Sequence, residues 1–158
     1  MLLTKIDASG ASKEDRTTLV QCLSLVAKAT GGKMAPHIGT LVPKLSVLMK
    51  DLDPEEPDDH ANELSEACLA TIEAITRRCP KDIAERVPEL FKETLGLIRY
   101  DPHFNADAAQ DEEVDMEGWG DEDDPDEDIG VDNDDSTWRV RRGAIFLIDA
   151  LIKAKPEF

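Results

Sequence analysis

Val42-Pro43-Lys44-Leu45 recurs as Val87-Pro88-Glu89-Leu90, and both copies run on to an Asp-Pro pair, Asp53-Pro54 and Asp101-Pro102. The offset is 45 residues, from 42 to 87. A second pair of segments repeats at wider spacing: Ile72-Glu73-Ala74-Ile75, followed by Pro80, returns as Ile148-Asp149-Ala150-Leu151, followed by Pro156, an offset of 76. The excess of 76 over 45 is 31 residues, about the length of one acidic stretch between Asp101 and Asp135. Two copies of a helix pair with a period near 45 account for both offsets, provided the stretch interrupts the second copy between its first and second helix.

The apolar residues around these segments recur at helical spacing. A first helix is expected to begin after Ser12, which has capping-box spacing to Asp15, and to end at Gly31-Gly32, with Leu19, Cys22, Leu23, Val26 and Thr30 on its inward face. A second starts near Pro36 and carries Ile38, Leu41, Val42, Leu45 and Met49. A third, from about Asp58 to Cys79, carries Leu64, Cys68, Ile72 and Ile75. A fourth, from about Lys81 to Arg99, carries Ile83, Val87, Leu90, Phe91, Leu95 and Ile98. The fifth, from about Thr137 to Lys155, turns Val140, Ala144, Leu147, Ile148 and Leu151 inward. No segment alternates as a strand does, so the class is all-α. Pro43 and Pro88 each remove a backbone donor, and each is expected to bend its helix.

The stretch from Asp101 to Asp135 holds 17 of the 35 acidic residues and no Lys or Arg, while outside it 18 acids meet 18 bases. The net charge of −17 is therefore local to one insert on a near-neutral body. Self-repulsion and the breakers Gly118, Gly120, Pro125 and Gly130 predict a disordered loop. Two roles fit it: a solvated, solubilising loop, or a docking arm for a basic partner with Trp119, Met116, Val114 and Ile129 as apolar anchors. Asp124, Asp126 and Asp128 alternate as in a calcium loop, but Ile129 stands where the turn glycine is needed and no Glu closes twelve residues. No metal or cofactor site is expected.

Cys22, Cys68 and Cys79 are an odd set without paired metal spacing, and they read as small core residues of a protein in a reducing compartment. His37, His60 and His103 lie at separate helix starts or loops with no nucleophile elbow or phosphate loop near them, so no catalytic residues are assigned and the chain is not expected to be an enzyme. Trp138 reads as a packing residue at the start of the fifth helix. No apolar run approaches the roughly 20 residues of a membrane span. An acidic surface disfavours nucleic acid, because phosphates require a basic one. A soluble, intracellular chain is expected.

A period near 45 with two helices per unit falls in the range of HEAT and armadillo solenoids. HEAT repeats resemble this chain also in Asp135 and Arg141, an acid before the second helix and an arginine six residues on, which in that family ladder between neighbouring repeats. Asp59 occupies the earlier acidic position, but Ser65 stands where the arginine belongs, so the ladder is expected to be interrupted there. The expected organisation is HEAT-type helices over 12–100, the acidic insert over 101–135, and the second helix of the interrupted repeat over 136–158.

Arg77-Arg78-Cys79-Pro80-Lys81-Asp82, the Tyr100-Asp101-Pro102-His103-Phe104-Asn105 opening of the insert, the acidic tract, and Ser136-Thr137-Trp138-Arg139-Val140-Arg141-Arg142-Gly143-Ala144 closely resemble the cullin-associated, neddylation-dissociated proteins. The helix start Gly31-Gly32-Lys33-Met34-Ala35-Pro36-His37-Ile38-Gly39 is similar to that family as well. The resemblance runs from about Thr17 to Phe158 and implies a HEAT α-solenoid that binds a cullin scaffold with its RING subunit in the unneddylated form. It implies a noncatalytic factor that exchanges substrate receptors of cullin–RING (SCF-type) ubiquitin ligases, in the cytoplasm and nucleus. On this reading the chain is a fragment of the N-terminal half, with two full repeats and parts of others, and its partner-binding residues are unassigned. The alternative is a segment of a karyopherin-like transport receptor, also an acidic HEAT protein, binding basic cargo or a small GTPase.

Overall fold

A computed structural model describes residues 12–53, 55, 58–101 and 136–155, and among them all regular structure is helical. Six α-helices follow one another: α1 Lys13–Thr30, α2 Ala35–Leu48, α3 Asp59–Arg78, α4 Pro80–Ile83, α5 Val87–Ile98 and α6 Thr137–Ala154. Short 3-10 turns at Gly31–Met34 and Ala84–Arg86 lead into α2 and α5. The acidic insert beyond Asp101, with Asp135, His103, Trp119 and the Asp124–Asp128 pattern, lies outside the described residues.

Local chemistry sets the boundaries. The Ser12 hydroxyl accepts from the Asp15 amide while Asp15 reaches back to the Ser12 amide, the expected capping box. The helix stops at Gly31, whose φ of 57° suits a residue without Cβ. Asp58 caps α3 by accepting from the His60 amide.

Pro88 acts differently from Pro43. Pro43 lies inside α2, whereas Pro88 sits in the first turn of α5. Lacking an N–H, Pro88 cannot close a bond to the Ala84 carbonyl four residues back, and that carbonyl instead takes the Val87 amide in a 3-10 turn. The fourth expected helix is thereby broken into α4, a tight turn and α5.

The tertiary arrangement is two layers. α1, α3 and α6 stack side by side, with α3 between the other two, while α2 packs on α3 and α5 on α6. Hence α2 with α3 forms one repeat, and α4–α5 with α6 the next. One apolar cluster runs through them, including Val20, Leu23, Leu45, Leu69, Ile72, Ile83, Leu90, Leu147 and Leu151.

The faces expected of α2 and α3 are the buried ones. Three others need correction. In α1 the buried residues are Thr17, Val20, Leu23, Ser24 and Ala27, while Cys22, Val26 and Thr30 are exposed. Ser12 and Asp58 are equivalent caps 46 residues apart, and Cys22-Leu23 matches Cys68-Leu69 at the same offset. The expected α1 face therefore corresponds to Ser65, Cys68 and Ile72, the side on which α3 meets α2; among the described residues no helix covers that side of α1. In α5, Val87, Leu90, Thr94 and Leu97 form the buried stripe and Leu95 is exposed, because Leu95 stands five residues past Leu90, roughly 140° around the helix from it. In α6, Ala150 takes the inward place and Ile148 is only half-buried.

Candidate interaction surfaces

Both flanks of the insert are held at the same end of the stack. Asp101 accepts from Arg141 of α6 at 2.5 Å, and Ser136 donates to Asp59 of α3 at 2.6 Å while accepting from Asn62 at 2.7 Å. Ser136 and Asn62 are buried, so these bonds replace water that neither group can reach. Ser65 and Arg141 are equivalent at the 76-residue offset, and each ties its helix to the C-terminal end of the preceding one in its repeat. Ser65 does so through the Met49 carbonyl at 2.8 Å and Arg141 through the Asp101 carboxylate. The interruption expected at Ser65 is thus a substitution of a neutral bond for an ionic one.

A charged ladder does join the repeats, at a place the sequence reading did not identify. Arg77 donates to Glu73 at 2.7 Å on its own helix and to Asp149 at 3.2 Å on α6, and Asp149 also accepts from Lys153 at 2.8 Å. Lys153 first, and Arg77 after it, hold the Asp149 carboxyl below its ordinary value. Nearby, Arg142 donates to Glu66 at 3.2 Å, and its guanidinium lies 4.4 Å from the centre of the Trp138 ring. The equal offset of Glu73 to Asp149 and Glu66 to Arg142, 76 in each case, was the available signal.

On the other layer, Glu93 of α5 accepts from Ser46 of α2 and from Lys50 just past the end of that helix, the latter at 2.5 Å. A groove beside them is lined by Val42, Pro43, Val47, Arg86, Glu89 and Leu90. Two more open grooves flank Arg77, one lined by Lys28, Ala74 and Arg78, the other by Pro80, Ala150 and Lys153. All are shallow and bordered by charges, the form of a protein-contact surface more than of an enclosed small-molecule pocket.

The candidate chemical groups are dispersed. His37 is exposed, and His60 lies 3.7 Å from Glu14 on the surface. Cys68 and Cys79 are buried, as expected, but Cys22 is exposed. Burial pushes the Cys68 thiol up to about 12, and burial with the Asp82 charge raises that of Cys79. Trp138 does not pack into the core; it lies half-exposed under Arg142. Among the described residues no three potential metal ligands cluster, and no helix is long and apolar enough to cross a membrane.

Helix pairs repeating at about 45 residues, stacked in two layers and tied by equivalent side chains, define a segment of a HEAT-type α-solenoid. The chain is 33% identical over 140 residues to cullin-associated NEDD8-dissociated protein 2 of Rattus norvegicus, across 89% of its own length and 10% of the relative's. It is 30% identical over 151 residues to cullin-associated NEDD8-dissociated protein 1 of Drosophila melanogaster, across 89% of this chain and 11% of that one. With protein 1 of Arabidopsis thaliana the identity is 33% over 147 residues, across 93% and 12%. No family model matches the chain. The chain is similar to a segment of the cullin-associated NEDD8-dissociated proteins and spans about a tenth of the length of these curated relatives.

Proposed function

We propose that this chain is a noncatalytic cullin-binding segment of an assembly factor for cullin–RING ubiquitin ligases, acting on the unneddylated scaffold. The observation that carries the reading is similarity along about nine-tenths of the chain to proteins named for cullin association and NEDD8 dissociation. The rigid stack supports it physically, because ordered helices present side chains at fixed spacing to a partner. The acidic insert serves at most as an electrostatic aid that speeds encounter with a basic surface. Such a segment belongs to the cytoplasm and nucleus and needs no cofactor.

The test is retention of purified cullin–RING complexes, unneddylated and neddylated, on the immobilised chain. Retention of the unneddylated form alone is the expected result. Nucleotide-dependent retention of a small GTPase, with no cullin bound, would replace this reading with a karyopherin-like one. Substituting a Gly/Ser linker for 111–128 is expected to slow association at low salt and leave dissociation nearly unchanged. A large rise in dissociation rate would place the specific contacts in the insert.

A further inference from the structure

The last turns of the stacked helices carry bases and no acid: Lys28 on α1, Arg77 and Arg78 on α3, and Lys153 on α6. Two of the four are already engaged. Arg77 pairs with Glu73 and Asp149, and Lys153 pairs with Asp149. Lys28 and Arg78 are exposed and make no ion pair among the described residues. A cation in a last turn offsets the helix dipole, which accounts for one base per helix. In α3 the paired Arg77 meets that need, and Arg78 is left over.

Both free cations line one groove of about 420 Å³, together with Glu73, Ala74 and Arg77. Its two walls are α1 and α3, which pack directly on each other, so the groove is formed by helices that already have their neighbours on that side. Three bases stand in it against one acid, Glu73, a net of two positive charges on a chain whose total is −17. Ala74 is buried beneath them, and its single methyl leaves the floor open to a backbone. The flanks of the insert are held at the opposite end of α3, where Ser136 bonds Asp59 and Asn62. That end is about 30 Å away, several screening lengths at physiological salt, so those anchors leave the field of the groove intact.

We infer that this groove receives an acidic, extended segment of a partner protein, with one carboxylate on Arg78 and a second on Lys28. The guanidinium of Arg78 offers a planar fork to a carboxylate, and Lys28 offers a point charge from the facing helix. A charged segment without a fold of its own favours the polyproline II form, in which every third side chain points the same way about 9 Å further on. That spacing is close to the roughly 8–10 Å between packed helix axes, so acids three residues apart reach α1 and α3 in turn. Nucleic acid is the poorer fit, because its affinity grows with the number of phosphates neutralised and only two cations here are free. The site stands apart from the cullin reading and is tested without a cullin.

Fluorescence anisotropy of a labelled synthetic peptide, with Glu at every third position and Ser between, tests the inference when titrated with the 158-residue chain at neutral pH. The expected result is saturable binding that weakens as salt is raised. Lys28→Glu and Arg78→Glu, both at exposed sites, should each weaken it roughly tenfold or more and leave the melting temperature close to that of the parent. Lys92→Glu makes the same change of charge on the exposed side of α5, in the other layer, and should leave binding unchanged. A parent chain that does not bind the peptide overturns the inference. Equal weakening by Lys92→Glu overturns it as well, since bulk charge would then be the cause. Lowered melting temperatures for Lys28→Glu and Arg78→Glu with binding intact would leave those bases only their role at the helix ends. Binding by the chain with a Gly/Ser linker for 111–128, but not by the parent, would give the groove to the insert in place of a partner. Tighter binding of single-stranded DNA than of the peptide, lost in the same two variants, would overturn the choice of carboxylates.

Discussion

Arg77 of α3 bonds Asp149 of α6 at 3.2 Å, and Asp149 is the residue that stands in α6 where Glu73 stands in α3. One guanidinium therefore serves the same acidic position of two successive repeats. The arrangement is a ladder in which each acid meets the base of its own helix, Glu73 with Arg77 and Asp149 with Lys153, while Arg77 crosses between helices.

The ladder makes stability sensitive to acid. Asp149 is held below its ordinary value of 3.8 when folded, so its contribution is present above that value and lost as pH falls through the lowered one. The groups are exposed, so salt weakens the effect. Thermal melting at low salt is expected to show the parent chain losing more stability than Asp149→Asn between about pH 5 and about pH 3. Equal losses would mean the ladder contributes nothing.

Core truncations should rank by the burial in the folded chain. Leu90→Ala and Leu147→Ala, at buried positions, are each expected to destabilise by roughly 2–5 kcal/mol. Leu95→Ala, at an exposed site, should change stability by about 1 kcal/mol or less, with the half-buried Ile148→Ala between them. Denaturant melts decide the order.

Two helical glycines should respond in opposite ways. Around Gly96 there is open space for a Cβ, so Gly96→Ala is expected to stabilise by about 0.5–1 kcal/mol through helix propensity. At Gly143 the side chain of Leu69 already stands within contact distance, so Gly143→Val should destabilise by about 1–3 kcal/mol. A gain in stability for Gly143→Val would disprove the close α3–α6 approach.

Thiol labelling should separate the cysteines. In the native chain an alkylating reagent is expected to modify Cys22 rapidly, while Cys68, buried and with its thiol pushed up to about 12, reacts only on unfolding. Mass mapping after brief labelling at neutral pH provides the check. Native-state modification of Cys68 would show that α3 is not packed as described.

Helix existence was legible because local signals state it. Ser12 with Asp15, Gly31 at φ 57° and the apolar period of Asp59–Arg78 act within a few residues of themselves. The α1 face was misread for a reason the stack makes plain: a helix of a solenoid has apolar residues on several sides, and a pattern of Leu19, Cys22 and Val26 does not say which side is covered. The cysteine reading failed at Cys22 for the same reason. Leu95 was misassigned because an apolar side chain was favoured over the hydroxyl of Thr94, which keeps the inward spacing set by Val87, Leu90 and Leu97.

From the sequence alone came the all-α class, the repeat period near 45 with its 76-residue offset across the insert, the place of the acidic insert and the resemblance to cullin-associated proteins, since spacing, charge and motif order are properties of the chain itself. Tertiary structure alone decided which faces are buried, that Arg77 reaches Asp149, that Ser136 bridges Asp59 and Asn62, and that Lys28 and Arg78 line one groove. The bonds of Arg77 and Ser136 join residues 72 to 77 positions apart, and only the packing of α3 against α6 brings them within a few ångströms.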